Sequence, residues 1–205
     1  MFSADSVFEG APSILKTLDK NKIKASFFLT GNCLRMKEHE PVIKEIIRKG
    51  HYVGGHSDKH LLYAPWGNRQ QSLVSADSLI NDLRQNMAEL AKFGIDISKV
   101  HYYLPPYEWY NLSNVGLVEA QGQVVINFTS GLRTAADYTT PDMKNYMSSQ
   151  QLIDQLFTFE KENGLNGGII LIHPGTHPTR TDKLYLRLDE IIKELKKKGY
   201  SFDRL

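Results

Sequence analysis

Short apolar runs alternate along this chain with longer stretches whose apolar positions recur every three or four residues. Residues 23–29 (IKASFFL) are β-prone and aromatic-rich, and Thr30-Gly31 follows; the run reads as a strand. Residues 41–49 (PVIKEIIRK) place apolar side chains at 42, 43, 46 and 47, with proline in the first turn and Gly50 at the stop, which predicts a helix. Tyr52-Val53 is a brief strand. Ser75 is a fitting N-cap for the longest helical pattern, residues 75–93, where Leu79, Ile80, Leu83, Met87 and Leu90 form an apolar stripe ended by Gly94.

The second half continues the alternation. Residues 100–104 and 124–128 read as strands, 112–121 as a weaker helix, and 168–172 (GIILI) as a buried strand. Residues 129–147 form a polar loop long enough to suspect function. Residues 149–162 and 182–198 read as helices, and 200–204 as a last short strand. With residues 2–4 included, about seven strands alternate with helices, the pattern of an α/β fold with parallel strands and crossover helices. The sheet is either open and doubly wound or closed as a barrel. No glycine-rich phosphate fingerprint follows any strand, which disfavours the nucleotide-binding version. One domain spanning 1–205 is expected. The opening Met1-Phe2-Ser3-Ala4-Asp5 looks like the end of a strand, so the first strand is expected to be truncated, with residues and an export signal upstream.

Composition narrows the chemistry. Of 205 residues, 41% are hydrophobic and 23% charged, with a net charge of +2. This is ordinary globular composition, and it gives no electrostatic reason to propose nucleic acid as a partner. The basic run Lys193, Lys196, Lys197 and Lys198 closes a helical pattern and complements its dipole. The single cysteine, Cys33, excludes an internal disulfide and a cysteine-rich zinc site. No stretch is apolar enough to span a bilayer, and no signal peptide is visible.

In parallel α/β architectures, chemistry collects beyond the carboxyl ends of the strands. Asp5 follows the first expected strand, His56 and His60 the third, Pro106, Tyr107, Glu108 and Trp109 the fourth, Arg133 and Asp137 the fifth, and His173 the sixth. The histidine pair has two readings, separate surface groups or a site for zinc, cobalt, nickel or iron. His173 is either a core histidine or a functional one. Asp5 could equally cap a turn. Trp66, Trp109 and Tyr110 are either core residues or platforms for sugar rings.

The stretch IKASFFLTG followed by GHYVGGHSDKH resembles the polysaccharide deacetylases with the NodB homology domain, carbohydrate esterase family 4 (CE4). Leu171-Ile172-His173 matches the family's L-x-H motif. The resemblance runs from Phe2 to Leu205. It implies a distorted (β/α) barrel of about seven parallel strands with outer helices, and removal of N- or O-acetyl groups from a carbohydrate. It implies a divalent metal (zinc, with cobalt or nickel as alternatives) on His56 and His60, and His173 as general acid. The family's first motif has two adjacent aspartates, base then ligand. Asp5 takes the base position with Ser6 at the ligand position, or in a one-residue shift becomes the ligand itself. The R-x-P-Y motif appears as Leu104-Pro105-Pro106-Tyr107, so the arginine that orients the base is replaced, with Arg133 as a substitute. Tyr107 would supply a backbone N–H to the oxyanion, Asp137 would tune His173, and Trp66 and Trp109 would meet the sugar. Acetylated oligo- or polysaccharide is the implied partner, and the resemblance suggests an extracytoplasmic location. Two other readings stay open: a non-catalytic carbohydrate-binding relative, and a metal-dependent hydrolase of a small non-sugar amide.

Overall fold

The structure, a computed structural model, describes residues 1–205. In chain order its elements are β1 (Phe2–Ala4), α1 (Ala11–Asn21), β2 (Ser26–Leu29), α2 (Gly31–Arg35), α3 (Glu40–Arg48), β3 (Tyr52–Gly55), α4 (Ala76–Lys92), β4 (Tyr102–Tyr103), α5 (Leu112–Glu119), β5 (Val124–Val125), α6 (Ser149–Asn163) and α7 (Leu188–Lys197). The fold is α/β. The strands form one sheet in the order β1-β2-β3-β4-β5, and β2 with β3, β3 with β4 and β4 with β5 all pair in parallel. No helix is long and apolar enough to cross a membrane.

The chain divides into two compact units, one of residues 4–6, 26–127 and 205, the other of residues 1–3, 7–25 and 128–204. In the first, β2 runs beside β3 with Ser26 opposite Tyr52 and Leu29 opposite Gly55. Every residue of β2 is buried, as expected of a parallel strand covered on both faces. Tyr63, Leu79, Leu83, Tyr103 and Val118 form a buried cluster beneath α4 and α5. Each such side chain contributes about 1.5–3 kcal/mol by leaving water. Ser75 caps α4, its hydroxyl accepting the Ser78 N–H at 3.2 Å.

In the second unit α1 packs against α7. Ile14, Leu15 and Leu18 of α1 and Ile191, Ile192 and Leu195 of α7 are buried. At the rim Asp189 accepts from Lys20 and from Asn21, each at 2.8 Å. The expected strand at 168–172 forms only a parallel bridge between Phe2 and Ile172. Its backbone is bonded to irregular partners instead: Thr129 binds Ile169 through both its amide and its hydroxyl, and the Ile172 N–H reaches Met1. Residues 200–204 form no strand.

Candidate active site

Two glycines end β3 and deliver the chain to His56. The second is required by packing. A Cβ on Gly55 would lie 2.4 Å from the Met87 methyl and 2.6 Å from Asn86 Oδ1, closer than atoms can approach. The gap lets α4 reach the backbone of the histidine loop. Asn86 Oδ1 accepts the His56 N–H at 3.0 Å while its Nδ2 donates to the Leu29 carbonyl at 3.1 Å. One helical turn earlier, Asp82 accepts the N–H groups of Asp58 and Lys59, each at 3.0 Å. The loop needs this support. Ser57 and His60 hold φ of 78° and 54°, left-handed values that cost a non-glycine residue about 1–3 kcal/mol each. From the other side, the Gly31 and Asn32 amides at the start of α2 donate to Ser57 O and Asp58 O, and Arg35 pairs with Asp58 at 2.5 Å and with Glu89 at 3.4 Å.

The loop brings the two imidazoles together, ring centroids 5.0 Å apart. His56 Nδ1 lies 2.7 Å from the Leu104 carbonyl oxygen. A carbonyl only accepts, so Nδ1 donates, which in a neutral ring puts the lone pair on Nε2, the arrangement that suits a metal-bound histidine. The pair fits a divalent cation in this respect. No group of three or more His, Cys, Asp or Glu side chains is gathered to hold one, so the preassembled donors are two imidazoles without a carboxylate. Cys33 adds none. It is buried, and burial, reinforced by the charge of Asp5, pushes its thiol well above the usual range, so no thiolate is at hand.

Asp5 belongs to the same unit. Its Oδ1 accepts from Thr30 Oγ1 at 2.9 Å and from Asn32 Nδ2 at 3.1 Å. Thr30 is also the N-cap of α2, accepting the Cys33 N–H, so one hydroxyl both starts the helix and orients the carboxylate.

Tyr107 covers His60, its ring centroid 4.3 Å away. The turn that carries it is left-handed at Tyr107 and Glu108, with φ of 59° and 53°. Trp66 stands edge-on to Tyr107 at 5.7 Å and tilts over Trp109 at 5.7 Å. Trp66 and Tyr107 are 61% and 44% exposed, unlike core aromatics, so together with Trp109 they form an aromatic shelf that begins at the histidine pair.

In the other unit Asp137 and His173 form a dyad. His173 Nδ1 donates to Asp137 Oδ1 at 2.6 Å, and the His173 backbone N–H donates to Oδ2 at 2.9 Å. Asp137 is fully buried within a 3₁₀ turn of the long polar loop, while the His173 side chain is one-fifth exposed. The carboxylate therefore fixes both the ring and the chain that bears it. Arg133 precedes this turn and is exposed; its backbone N–H bonds Gln155.

Sequence reasoning named Asp5, His56, His60, Asp137 and His173 but missed the residues that hold them: Thr30, Asn32, Asp82 and Asn86. The signal was present. Asp82, Asn86 and Glu89 are polar at helical spacing within the buried face of α4, where a polar residue needs a partner.

Comparison with known proteins identifies the family. The family model described as polysaccharide deacetylase matches residues 5–126. The peptidoglycan-N-acetylglucosamine deacetylase of Bacillus cereus is 24% identical over 191 residues, which cover 93% of this chain and 78% of that protein. The chain spans 49% to 78% of the length of the curated relatives it matches. Among solved structures, a CE4 family pseudoenzyme from Bacillus anthracis superposes with a TM-score of 0.74 at 21% identity, covering all of this chain and 62% of the other. A family 4 acetyl xylan esterase from Clostridium thermocellum, in complex with a cobalt ion, gives a TM-score of 0.70 at 22% identity, covering all of this chain and 88% of the other. The match over residues 5–126, which takes in Asp5, both histidines and Tyr107, establishes that this chain belongs to the polysaccharide deacetylase family.

Proposed function

We propose that this protein is an extracytoplasmic carbohydrate deacetylase that hydrolyses N- or O-acetyl groups on an oligo- or polysaccharide. The observation that carries the reading is the histidine loop. Two left-handed non-glycine residues are held in place by four backbone hydrogen bonds to buried or capping groups, with the outcome that two imidazoles stand side by side. Strain of this kind persists where function requires it.

His56 and His60 would hold a divalent metal: zinc, cobalt or nickel. Bound there, the metal supplies Lewis acidity toward the acetyl carbonyl and its attacking water. The rest of the chemistry belongs to this chain. Asp5 acts as base, taking a proton from water as the oxygen adds to the carbonyl carbon. Its Oδ1 is committed to Thr30 and Asn32, which leaves Oδ2 for the proton. That commitment favours base over ligand for Asp5, and it gives the carboxylate the orientation that the missing arginine, Leu104 in this chain, provides in the family. Thr30 and Asn32, rather than Arg133, are the partners that do so. The backbone N–H of Tyr107 donates to the tetrahedral oxyanion. His173 gives its Nε2 proton to the departing amine or alkoxide as the bond to the acyl carbon breaks, releasing acetate. Asp137 holds Nδ1 and stabilises the imidazolium between turnovers, the part an aspartate plays toward histidine in hydrolytic triads. The aromatic shelf receives the apolar face of a sugar ring.

A second reading, a carbohydrate-binding relative without turnover, is favoured by one observation: no carboxylate joins the two imidazoles. Acetate release separates the two. The purified protein with added zinc, cobalt or nickel is expected to liberate acetate from acetylated chito-oligosaccharide or xylan. Glycan binding with no acetate under any metal would establish the binding relative instead.

A further inference from the structure

The aromatic shelf continues beyond Trp109 to a cation. Arg69 lays its guanidinium on Trp109, the central carbon 4.4 Å from the ring centroid, and lies 5.3 Å from that of Tyr110. Its Nε donates to the Tyr110 carbonyl at 2.5 Å. The segment that carries it is tied to the same stretch of chain: the Trp109 indole N–H donates to Pro65 O, and Asn111 Nδ2 donates to Gln71 O and Ser72 Oγ. Arg69 is exposed, and ring faces and a carbonyl hold it, with no carboxylate to neutralise it. A neutral sugar would need only the indole and phenol faces. A guanidinium held beside them by its Nε bond is exposed, and its planar fork suits bidentate capture of a carboxylate.

We propose that Arg69 is a specificity residue, and that the glycan on this shelf is acidic, with a carboxylate-bearing sugar near the acetylated one. The inference rests on the reading of the shelf as the glycan-binding face, and it adds the substrate class. The shelf leads from His60 through Tyr107, Trp66 and Trp109 to Arg69 in contacts of 4.3, 5.7, 5.7 and 4.4 Å. The acid therefore sits on a neighbouring sugar of the same strand, away from the reacting acetyl group. A carboxylate is favoured over a phosphate because a planar two-oxygen acid matches one guanidinium edge without calling for a second cation.

Equilibrium binding tests this without turnover. Two probes are used, an alternating N-acetylglucosamine–glucuronate tetrasaccharide and an N-acetylglucosamine–N-acetylmuramate oligomer, each against its own methyl ester, which removes the charge and keeps the ring. The wild-type protein is expected to bind at least one acid roughly fivefold to tenfold more tightly than its ester at low salt, a ratio of the size of one solvent-screened charge-assisted contact. The ratio should fall as salt rises, shrink in Arg69→Lys, which loses the planar fork, and vanish in Arg69→Met, with melting curves confirming that both variants fold. Equal binding of acid and ester for both probes, failure of every glycan to bind, or a ratio that survives Arg69→Met would overturn the proposal. Tighter binding of a phosphorylated oligosaccharide than of either acid would overturn the choice of carboxylate. The ratio is independent of chemistry: acid selection without acetate release sinks the deacetylase reading alone, and acetate release without acid selection sinks this one alone.

Discussion

Replacing Asp82 by asparagine should loosen the histidine loop without disturbing the shape of the core. Each carboxylate oxygen of Asp82 accepts one backbone N–H, from Asp58 and from Lys59. An amide of the same size has a single acceptor, so whichever way it sits, one N–H of the loop faces an NH₂ group. Leaving a buried donor unsatisfied costs about 1–3 kcal/mol. Part of that is returned. Burial pushes the Asp82 carboxyl above its ordinary range against the pull of Ser57 and the two amides, and the neutral amide is spared the burial of charge. The net expectation is about 1–2 kcal/mol of destabilisation. For a chain of this size that lowers the melting temperature by roughly 2–8 °C. The strained φ values of Ser57 and His60 then lose one of the three hydrogen bonds by which α4 supports the loop. The second readout is zinc titration of the folded variant, where affinity should fall by about tenfold, as it does when outer partners of metal-binding histidines are removed. Faster hydrogen exchange at the Asp58 and Lys59 amides should accompany it. An Asp82→Asn protein with wild-type zinc affinity and wild-type protection at those amides would refute the claim that α4 sets the imidazole pair.

Other expectations concern single groups. Asp137→Asn should reduce the turnover number for acetate release by at least about a hundredfold with little change in KM, because the dyad acts on the leaving group and not on glycan binding; a change confined to KM would contradict it. Ser6→Asp places a carboxylate at the family's ligand position and should raise zinc affinity by at least about tenfold in isothermal titration, while unchanged affinity would show that Ser6 does not face the imidazoles. Lys193, Lys20 and Asn21 hold the Asp189 carboxyl well below the usual carboxylate range. A lowered folded-state pKa gives stability that is present above the unfolded value and lost as pH falls. Asp189→Asn should therefore melt below the wild type at pH 7, and the gap should close as the pH drops through and below about 4, the unfolded aspartate pKa; a constant gap would contradict the linkage.

Much of this was legible in the chain. The helices at 40–48 and 76–92 follow the apolar spacing, first-turn proline and capping serine that announced them, and helices form at 112–119 and 149–163 where they were expected. The last helix begins later than its pattern suggested, because residues 184–187 take up a 3₁₀ turn. Helix α1 went unread. It has no capping side chain, although Ala11, Ile14, Leu15 and Leu18 repeat at helical spacing. The strand expected at 168–172 failed for a reason that hydrophobicity does not encode, since irregular backbone partners on both sides leave it a single bridge. At the site, chemically distinctive residues were visible and their supports were not. A histidine pair announces itself through type and spacing. Asp82 and Asn86 are ordinary helix-surface residues until packing buries them, and Thr30 passed as a strand end although it caps α2 and holds Asp5.

The central proposal is that Asp5 and His173 are each needed for acetate release. It is tested most directly by acetate release from an acetylated oligosaccharide at saturating cobalt, comparing the wild type with Asp5→Asn and His173→Ala. The account predicts that each substitution alone lowers the turnover number by a hundredfold or more, about 2.7 kcal/mol of lost transition-state stabilisation. Wild-type acetate release in either single variant would contradict it.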